Sequence, residues 1–309
     1  MSLKILVIGT GQMGALHYKN LCRLRDKYDI HVLSTNSSND LKSILTSKRI
    51  DACVVALPYH LHYEVVSTLL EKNIHCFVEK PISMNYEMAK KLVSIAERKK
   101  LILMVGHILR FSQTFGILKD LIQQNAIGTP TMINCRRFTL KTIKNWWKNL
   151  NRFLLLYEGI HTIDILIDTL GEIPQYINCR MNYTHPGIRG ESEFIVNLEF
   201  KSGIISVIHH DMKSPYNINE IYISGTEGKI LIKDFSKIYL NGDIIYNSNF
   251  NEMMTHSSYN EMNCFLRAIT GKEPPKSSGK DILPSMKVIE MCYYSASNKV
   301  RVEIEGRNV

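Results

Sequence analysis

LKILVIGTGQMG, at Leu3–Gly14, predicts a strand, a glycine-rich turn and the start of a helix. An apolar run over Leu3–Ile8 leads into glycines at 9, 11 and 14, and Met13–Arg25 then follows with helical spacing. In a G-x-G-x-x-G turn between a strand and a helix, the three glycines allow in turn a tight bend, close approach of a diphosphate and close helix packing. Free N–H groups at the helix start also favour a diphosphate. The pattern therefore predicts a dinucleotide site made by Gly9, Gly11, Gln12, Met13 and Gly14.

Outward from this motif, short apolar runs alternate with helix-like segments. The further runs are Ile30–Leu33, Asp51–Leu57, Ile74–Val78 and Leu101–Val105. Buried parallel strands have this appearance, and their alternation with helices indicates βαβ units in a doubly wound parallel sheet. We predict an α/β Rossmann domain over residues 1–124.

The pattern of predicted elements changes at Gly128-Thr129-Pro130, after which most segments resemble strands separated by turn signals. One helix is predicted among them, over Gly159–Leu170, and two late helices over Ser257–Thr270 and Lys280–Ser297. This pattern predicts an α+β domain over residues 125–309, built on an antiparallel sheet.

The composition is that of a globular protein and excludes a disordered, collagen-like or coiled-coil chain. Hydrophobic residues make up 45% and charged residues 22% of 309 residues, with a net charge of +9 that permits anionic ligands. No apolar run approaches the ~18 residues that span a bilayer, and no signal-peptide pattern is present, so we expect a cytoplasmic protein without membrane contact. The seven cysteines include no C-x-x-C pair, which favours free thiols and no metal site.

The end of the second strand bears on the choice between NAD and NADP. An acidic residue there binds the ribose hydroxyl of NAD. Here Ser34 and Thr35 are followed by no carboxylate before Asp40 and by no arginine. Either cofactor is compatible with Ser34 and Thr35, and the missing acid favours tolerance of NADP.

Glu79-Lys80-Pro81 follows the fourth predicted strand, at the sheet edge where ligands bind in such folds. Glu79 is placed to orient the Lys80 ammonium, and Pro81 permits a cis peptide bond. The alternative is an ion pair in a surface loop.

These motifs form an ordered series, continued by ALPYHLH at Ala56–His62, GHILRF at Gly106–Phe111 and GIHTID at Gly159–Asp164. Over essentially its whole length the chain resembles the Gfo/Idh/MocA family (glucose–fructose oxidoreductase, inositol dehydrogenase, rhizopine catabolism) of NAD(P)-dependent sugar oxidoreductases. The resemblance implies that the C-terminal domain has an open, mostly antiparallel sheet and serves substrate binding and oligomerisation. It implies a homodimer or homotetramer formed through that sheet. It also implies that Lys80 contacts the substrate hydroxyl and nicotinamide ribose, and that His161 takes the proton as hydride leaves. The residues it adds to the cofactor site are Leu57, Pro58, His62, Glu79 and Lys80.

The chain departs from the family pattern before the histidine. Many members carry an aspartate four residues earlier, where this chain has Tyr157. A phenol near a lysine can act as an acid or base, so Tyr157 is the third predicted catalytic residue. The alternative is a chain that keeps the fold and cofactor but has altered or lost activity.

A basic stretch, Arg136–Arg152, precedes the histidine segment and holds both tryptophans. Cations with a stacking aromatic suit an anionic sugar such as a nucleotide sugar. The predicted substrate-binding residues are Arg110, Trp146, Trp147 and Asp164, the last one turn after His161. The alternative is a solvated basic face, and no nucleic-acid-binding motif accompanies the stretch.

The sequence thus predicts an NAD(P)-dependent dehydrogenase or reductase acting on CH–OH groups of a sugar, sugar derivative or cyclitol. Two alternatives stay open: a reductase of a non-sugar carbonyl, and a cofactor-binding regulatory protein on the same fold.

Overall fold

The structure is a computed structural model that describes residues 2–35 and 41–304. Its contacts divide the chain into two compact units, Met1–Phe111 with Thr255–Leu283, and Ser112–Met254 with Pro284–Val309. The α-helices are α1 (Gln12–Tyr28), α2 (Leu41–Ser47), α3 (His62–Glu71), α4 (Tyr86–Lys99), α5 (Gln113–Gln123), α6 (Ile160–Leu170), α7 (Phe250–Ile269) and α8 (Gly279–Asn298). Among the described residues, no helix combines the length and apolar character needed to cross a membrane.

The first unit contains a five-stranded sheet in the order β2-β1-β3-β4-β5, with every pair parallel. Its strands are β1 (Leu3–Ile8), β2 (Ile30–Thr35), β3 (Ala52–Val55), β4 (His75–Glu79) and β5 (Leu103–Gly106). The order reverses after β2, so the β1 and β3 carboxyl ends flank the switch point where ligands bind in such sheets. The predicted Rossmann sheet is confirmed.

The helix α1 packs on this sheet through one face. His17, Asn20, Leu21 and Leu24 are buried at helical spacing, and the two leucines join the core with Phe77 of β4. Burying a leucine side chain of this kind contributes about 2 kcal/mol to stability.

Residues from late in the chain complete the same core. Met262, Phe265 and Leu266 of α7 pack in the cluster that holds Phe77, and the Ser277 carbonyl accepts a hydrogen bond from Val105 N at 2.8 Å. This apolar face explains why Thr255–Leu283 belongs to the first unit. The predicted single boundary between residues 124 and 125 stays a prediction.

The second unit contains a nine-stranded sheet in the order β13-β12-β11-β10-β6-β9-β8-β7-β14. Neighbouring strands are antiparallel except β6 and β9, which run parallel. The strands are β6 (Pro130–Phe138), β7 (Pro174–Asn182), β8 (Glu193–Phe200), β9 (Ile205–Asp211), β10 (Ile218–Gly225), β11 (Lys229–Lys233), β12 (Lys237–Leu240), β13 (Asp243–Asn247) and β14 (Val302–Glu303). The predicted open, mostly antiparallel sheet is confirmed.

The sequence patterns do not predict two elements of this unit. The edge strand β13 buries none of its five residues, so it lacks the alternation that marks a half-buried strand. A π-helical turn over Leu155–Gly159 precedes α6, and such turns occur often at functional sites.

Candidate functional site

Packing alone explains two of the three glycines in the turn between β1 and α1. Gly9 has φ 102°, and a Cβ there would overlap the Ala56 carbonyl oxygen. A Cβ at Gly14 would overlap the Gly9 carbonyl oxygen. At Gly11, by contrast, a Cβ would meet nothing within 4 Å, so the fold itself does not require glycine there.

The start of α1 fits a dinucleotide diphosphate. Gly11 is the N-cap and offers no side-chain hydrogen bond, and the first turn contains no acidic residue. Gln12 is exposed and Met13 half-buried beside these N–H groups. A helix N-terminus with uncapped amides attracts an anion, and the open space at Gly11 lets the anion approach the backbone.

The neighbouring loops are held against this turn by backbone hydrogen bonds. Gly9 N donates to Thr35 O at 2.8 Å, and Ala56 N donates to Ile8 O at 2.8 Å. Leu57 and Pro58 follow β3 and are half-buried, while Ser34 is exposed and Thr35 buried at the end of β2. Residues 36–40, including Asp40, lie outside the described residues, so the choice between NAD and NADP stays a prediction.

His62 is fully buried at the start of α3 and bridges two loops. Its Nδ1 lies 2.8 Å from Pro81 O and its Nε2 2.9 Å from Leu57 O. Burial lowers the pKa of His62 and outweighs both carbonyl contacts. Because the neutral imidazole carries a single N–H, it donates to one of these oxygens. Its geometry favours positioning the two loops over direct contact with a ligand.

The Glu79-Lys80-Pro81 motif combines a buried carboxylate with a half-buried lysine. His17 Nε2 lies 2.7 Å from Glu79 Oε1, and Lys80 N donates to Glu79 Oε2 at 3.3 Å. Burial favours the neutral acid, but the hydrogen bond from His17 and the nearby positive charges outweigh it and lower the pKa of Glu79. The Lys80–Pro81 peptide is cis.

His17 is a residue that the sequence analysis missed. It lies three residues after Gly14, on the face of α1 that contacts the sheet. The spacing predicts that His17 faces the sheet, but nothing in the sequence indicates that Glu79 is its partner.

A second carboxyl group lies near Glu79. Glu261 of α7 is fully buried, and neither carboxyl oxygen has a hydrogen-bond partner among the described residues. Burial is the main cause that raises the pKa of Glu261 well above its ordinary value, and the negative charge of Glu79 is the second. Glu261 is therefore held as the neutral acid, which leaves Glu79 as the ionised member of the pair.

We expect Glu261→Gln to stabilise the protein at neutral and alkaline pH. As pH rises above the unfolded-state pKa, the unfolded chain releases a proton that folded Glu261 keeps, so the free energy of unfolding falls until the folded-state pKa is passed. Glutamine removes this dependence, so the free energy of unfolding of Glu261→Gln is expected to exceed that of the wild type by a margin that grows from pH 5 to pH 8. Urea unfolding between pH 5 and pH 9 measures the effect, with exposed Glu252→Gln in the same helix as control. The same pH slope in wild type and Glu261→Gln would contradict a buried neutral acid.

Arg110 lies in a short 3-10 turn after β5 and is half-buried. Its guanidinium donates to the backbone carbonyls of Lys276 at 3.3 Å and Asp281 at 3.5 Å. These contacts tie the turn to the late segment of the same unit, and the predicted substrate contact of Arg110 stays a prediction.

In the second unit, His161 lies in the first turn of α6, directly after the π-helical turn, and is half-buried. Tyr157 lies within the π-helical turn and belongs to an aromatic cluster with Trp146, Trp147 and Phe153. Its ring stacks on Phe153 at 5.7 Å and lies 5.5 Å from Trp147 and 6.0 Å from Trp146. The cluster places both tryptophans beside the segment that carries His161.

Asp164, one turn after His161, is buried with 2% exposure. Its Oδ1 accepts a hydrogen bond from Ser285 Oγ of α8 at 2.9 Å. This contact joins α6 to α8, and the predicted role of Asp164 toward the substrate stays a prediction.

Glu158 was also missed as a functional residue. Its carboxylate is 7% exposed and pairs with two cations of the basic stretch, Arg137 Nη1 at 2.6 Å and Lys141 Nζ at 3.0 Å. Buried His210 lies near this group, with its Nε2 3.2 Å from Thr162 Oγ1. Burial is the main cause that lowers the pKa of His210 to about 3, and the positive charge of Arg137 is the second. The signal for Glu158 is a lone acid just after six basic residues.

Among residues 2–35 and 41–304, no group of three or more His, Cys, Asp or Glu is arranged to hold a metal ion. All seven cysteines lie within this part of the chain and are free thiols, six of them buried and Cys22 exposed.

Comparison with known proteins accounts for both units. Residues 30–107 match the oxidoreductase family with an NAD-binding Rossmann fold, and residues 119–304 match the C-terminal alpha/beta domain of that family. A 2,7-anhydro-N-acetylneuraminate hydratase from Escherichia coli (strain K12) is 28% identical over 255 residues. That match covers 73% of this chain and 66% of the relative, just under two thirds of the relative's length.

A myo-inositol 2-dehydrogenase from Thermotoga maritima is 24% identical over 306 residues, covering 90% of this chain and 92% of the relative. The solved structure of the WlbA dehydrogenase from Bordetella pertussis, in complex with NADH and UDP-GlcNAcA, matches with a TM-score of 0.81 at 17% identity. It covers 98% of this chain and 99% of that chain, and at this identity it shows the fold alone. Because one family model matches residues 119–304 and its partner matches most of the parallel sheet, the chain belongs to the Gfo/Idh/MocA family of NAD-binding oxidoreductases.

Proposed function

We propose that the protein transfers a hydride between a nicotinamide dinucleotide, NAD or NADP, and a carbinol carbon of a sugar, sugar derivative or cyclitol. One observation carries the proposal. Gly11 faces open space at the uncapped start of α1, whereas Gly9 and Gly14 are explained by packing. Open space directly beside uncapped helix amides lets a diphosphate approach the backbone, which a side chain at this position would prevent.

The chain's own residues supply position and charge. Gln12 and Met13 amides bind the diphosphate, and Leu57 and Pro58 border the dinucleotide while His62 holds their loop. When bound, the nicotinamide supplies the hydride acceptor or donor. Lys80 stabilises negative charge that develops on the substrate oxygen, and ionised Glu79 orients the lysine segment through Lys80 N.

His161 accepts the carbinol proton, a task that suits a histidine because its unperturbed pKa lies near neutral pH. Tyr157 stands where the family pattern expects an aspartate, and its ring is fixed by Phe153 and Trp147. We assign Tyr157 to positioning the substrate beside His161, with Trp146 as a stacking surface for a sugar ring.

A relative supports this substrate class. The relative from Thermotoga maritima that covers 90% of this chain is named a myo-inositol 2-dehydrogenase, and inositol is a polyhydroxylated ring. The test is the near-ultraviolet absorbance of reduced nicotinamide after mixing the protein with NAD⁺ or NADP⁺ and myo-inositol, glucose, glucuronate or UDP-glucuronate. Growth of absorbance with at least one carbinol supports the proposal. Dinucleotide binding with no turnover anywhere favours a cofactor-binding regulatory protein.

A second candidate is net hydration or dehydration of a sugar derivative. The observation that favours it is the name of the Escherichia coli relative, a hydratase that is 28% identical to this chain. Mass spectrometry of the same reactions separates the two, because a hydratase converts substrate while the amount of reduced dinucleotide stays constant.

We also propose a homo-oligomer formed through the second sheet. Met132, Ile195, Ile205 and Tyr222 are exposed on one face of four adjacent strands. We expect light scattering to give a dimer or tetramer for the wild type, and Ile205→Glu to shift it towards the monomer because a charge must then be buried. Ile173→Glu, at an exposed isoleucine outside the strands of this sheet, is the control. A monomeric wild type at high concentration would refute this interface.

A further inference from the structure

The second unit contains a cavity of about 570 Å³ that none of the roles above uses. Its lining comes from the end of β6 and the residues after it, the start of β10, the turn between β11 and β12, and the residues around the start of α7. A volume of this size lies within the range of small-molecule sites.

The lining carries excess positive charge. It contains three cations, Arg137, Lys141 and Lys237, and a single carboxylate, Asp234. Arg137 and Lys141 share the Glu158 carboxylate, whereas Lys237 forms no ion pair with any described residue. Counting Glu158, one positive charge remains without a counterion at the cavity.

The Arg137 guanidinium is fixed before any ligand arrives. Glu158 holds Nη1 at 2.6 Å, and the Phe235 ring lies 5.5 Å from the guanidinium carbon. Phe235 and its neighbour Asp234 both adopt left-handed backbone conformations, φ 55° and 52°. Two successive left-handed residues are typical of a tight β-hairpin turn, and Ser236 N donates to Lys233 O at 3.1 Å to close it. This turn places an aromatic ring beside an arginine at the cavity wall.

The rest of the lining is rich in neutral hydrogen-bonding groups. Amides come from Asn217, Asn219 and Asn249, and hydroxyls from Thr139, Ser236 and Ser248. Asn249 Oδ1 accepts from Asn251 N at 2.9 Å and caps α7, so the positive end of this helix lies at the lining. Amides and hydroxyls that both donate and accept suit the hydroxyl groups of a sugar.

We infer that this cavity binds a polyhydroxylated small molecule bearing an anionic group, a phosphate or a carboxylate, with the anion at Lys141 and Lys237. Glu158 links the cavity cations to the helical segment three residues before His161. Identifying the bound molecule with the substrate rests on the proposed function, whereas the binding itself does not.

The test is calorimetric titration of the cofactor-free protein with glucose 6-phosphate, glucuronate and glucose. At least one anionic probe is expected to bind about tenfold more tightly than glucose, as a charge-assisted hydrogen bond allows. The tighter of the two anions identifies phosphate or carboxylate as the preferred group. Equal binding of all three probes, or no binding by any, would overturn the inference.

Variants locate the site. Lys141→Gln and Lys237→Gln are each expected to lower the affinity for the preferred anion about fivefold or more. Lys229→Gln, at an exposed lysine of β11 outside the lining, is expected to leave this affinity unchanged. If neither cavity variant weakens binding, the anion binds outside this cavity and the inference is overturned. Because no dinucleotide is present, failure here is distinct from failure of hydride transfer in the absorbance assay.

Discussion

Gly11→Asp is expected to abolish binding of NADH and NADPH, with a loss of at least about a hundredfold in affinity. The new side chain would occupy the one open position of the glycine turn and place a carboxylate at the helix start where the diphosphate binds. The fold should be unaffected, because a Cβ at this position meets no other atom within 4 Å. Nicotinamide fluorescence during titration measures the loss, and thermal unfolding checks the fold.

Gly116→Asp provides a matched control. A Cβ at Gly116 of α5 also meets nothing within 4 Å, so this change adds the same charge at an equally open glycine far from the motif in sequence. It is expected to bind dinucleotide as the wild type does. Retained affinity in Gly11→Asp, or equal losses in both variants, would contradict a diphosphate site at the start of α1.

Lys80→Met and His161→Asn are each expected to lower kcat by about a thousandfold, with NADH affinity within about threefold of wild type. The first removes the ammonium that stabilises developing oxyanion charge, and the second removes the proton acceptor. Turnover of the best carbinol in the panel gives kcat, and fluorescence titration gives the dinucleotide affinity.

Lys72→Met and His256→Asn, at exposed positions, are the corresponding controls and are expected to retain wild-type turnover. A kcat within tenfold of wild type in either site variant would remove that residue from the proposed chemistry. Loss of dinucleotide affinity together with kcat would instead assign the residue to cofactor binding.

Much of the first unit could be predicted because its signals are local. The glycine turn, the apolar runs and the Glu79-Lys80-Pro81 position each depend on residues adjacent in sequence, and the alternation of apolar runs with helices indicates a doubly wound parallel sheet. The partner of Glu79 could not be read in this way. His17 is 62 residues away and reaches Glu79 only once α1 packs on the sheet.

The contacts of the second unit were also hard to predict, because they join residues that are not adjacent in sequence. Glu158 looks like a single acid next to a basic stretch, and its pairing with Arg137 and Lys141 depends on the geometry of the π-helical turn. The sharing of Met262 and Phe265 with the core of the first unit has no sequence signal either, because an amphipathic helix does not indicate which sheet it covers.

Hydride transfer from a carbinol carbon can be followed with deuterated substrates, because the deuterium then appears in the reduced dinucleotide. Perdeuterated myo-inositol, glucose and glucuronate would each be incubated with the protein and NAD⁺ or NADP⁺, and the dinucleotide then examined by mass spectrometry. We expect reduced dinucleotide that carries deuterium from at least one of these compounds. Unlabelled dinucleotide after prolonged incubation with every compound, from a protein that binds the cofactor, would contradict hydride transfer.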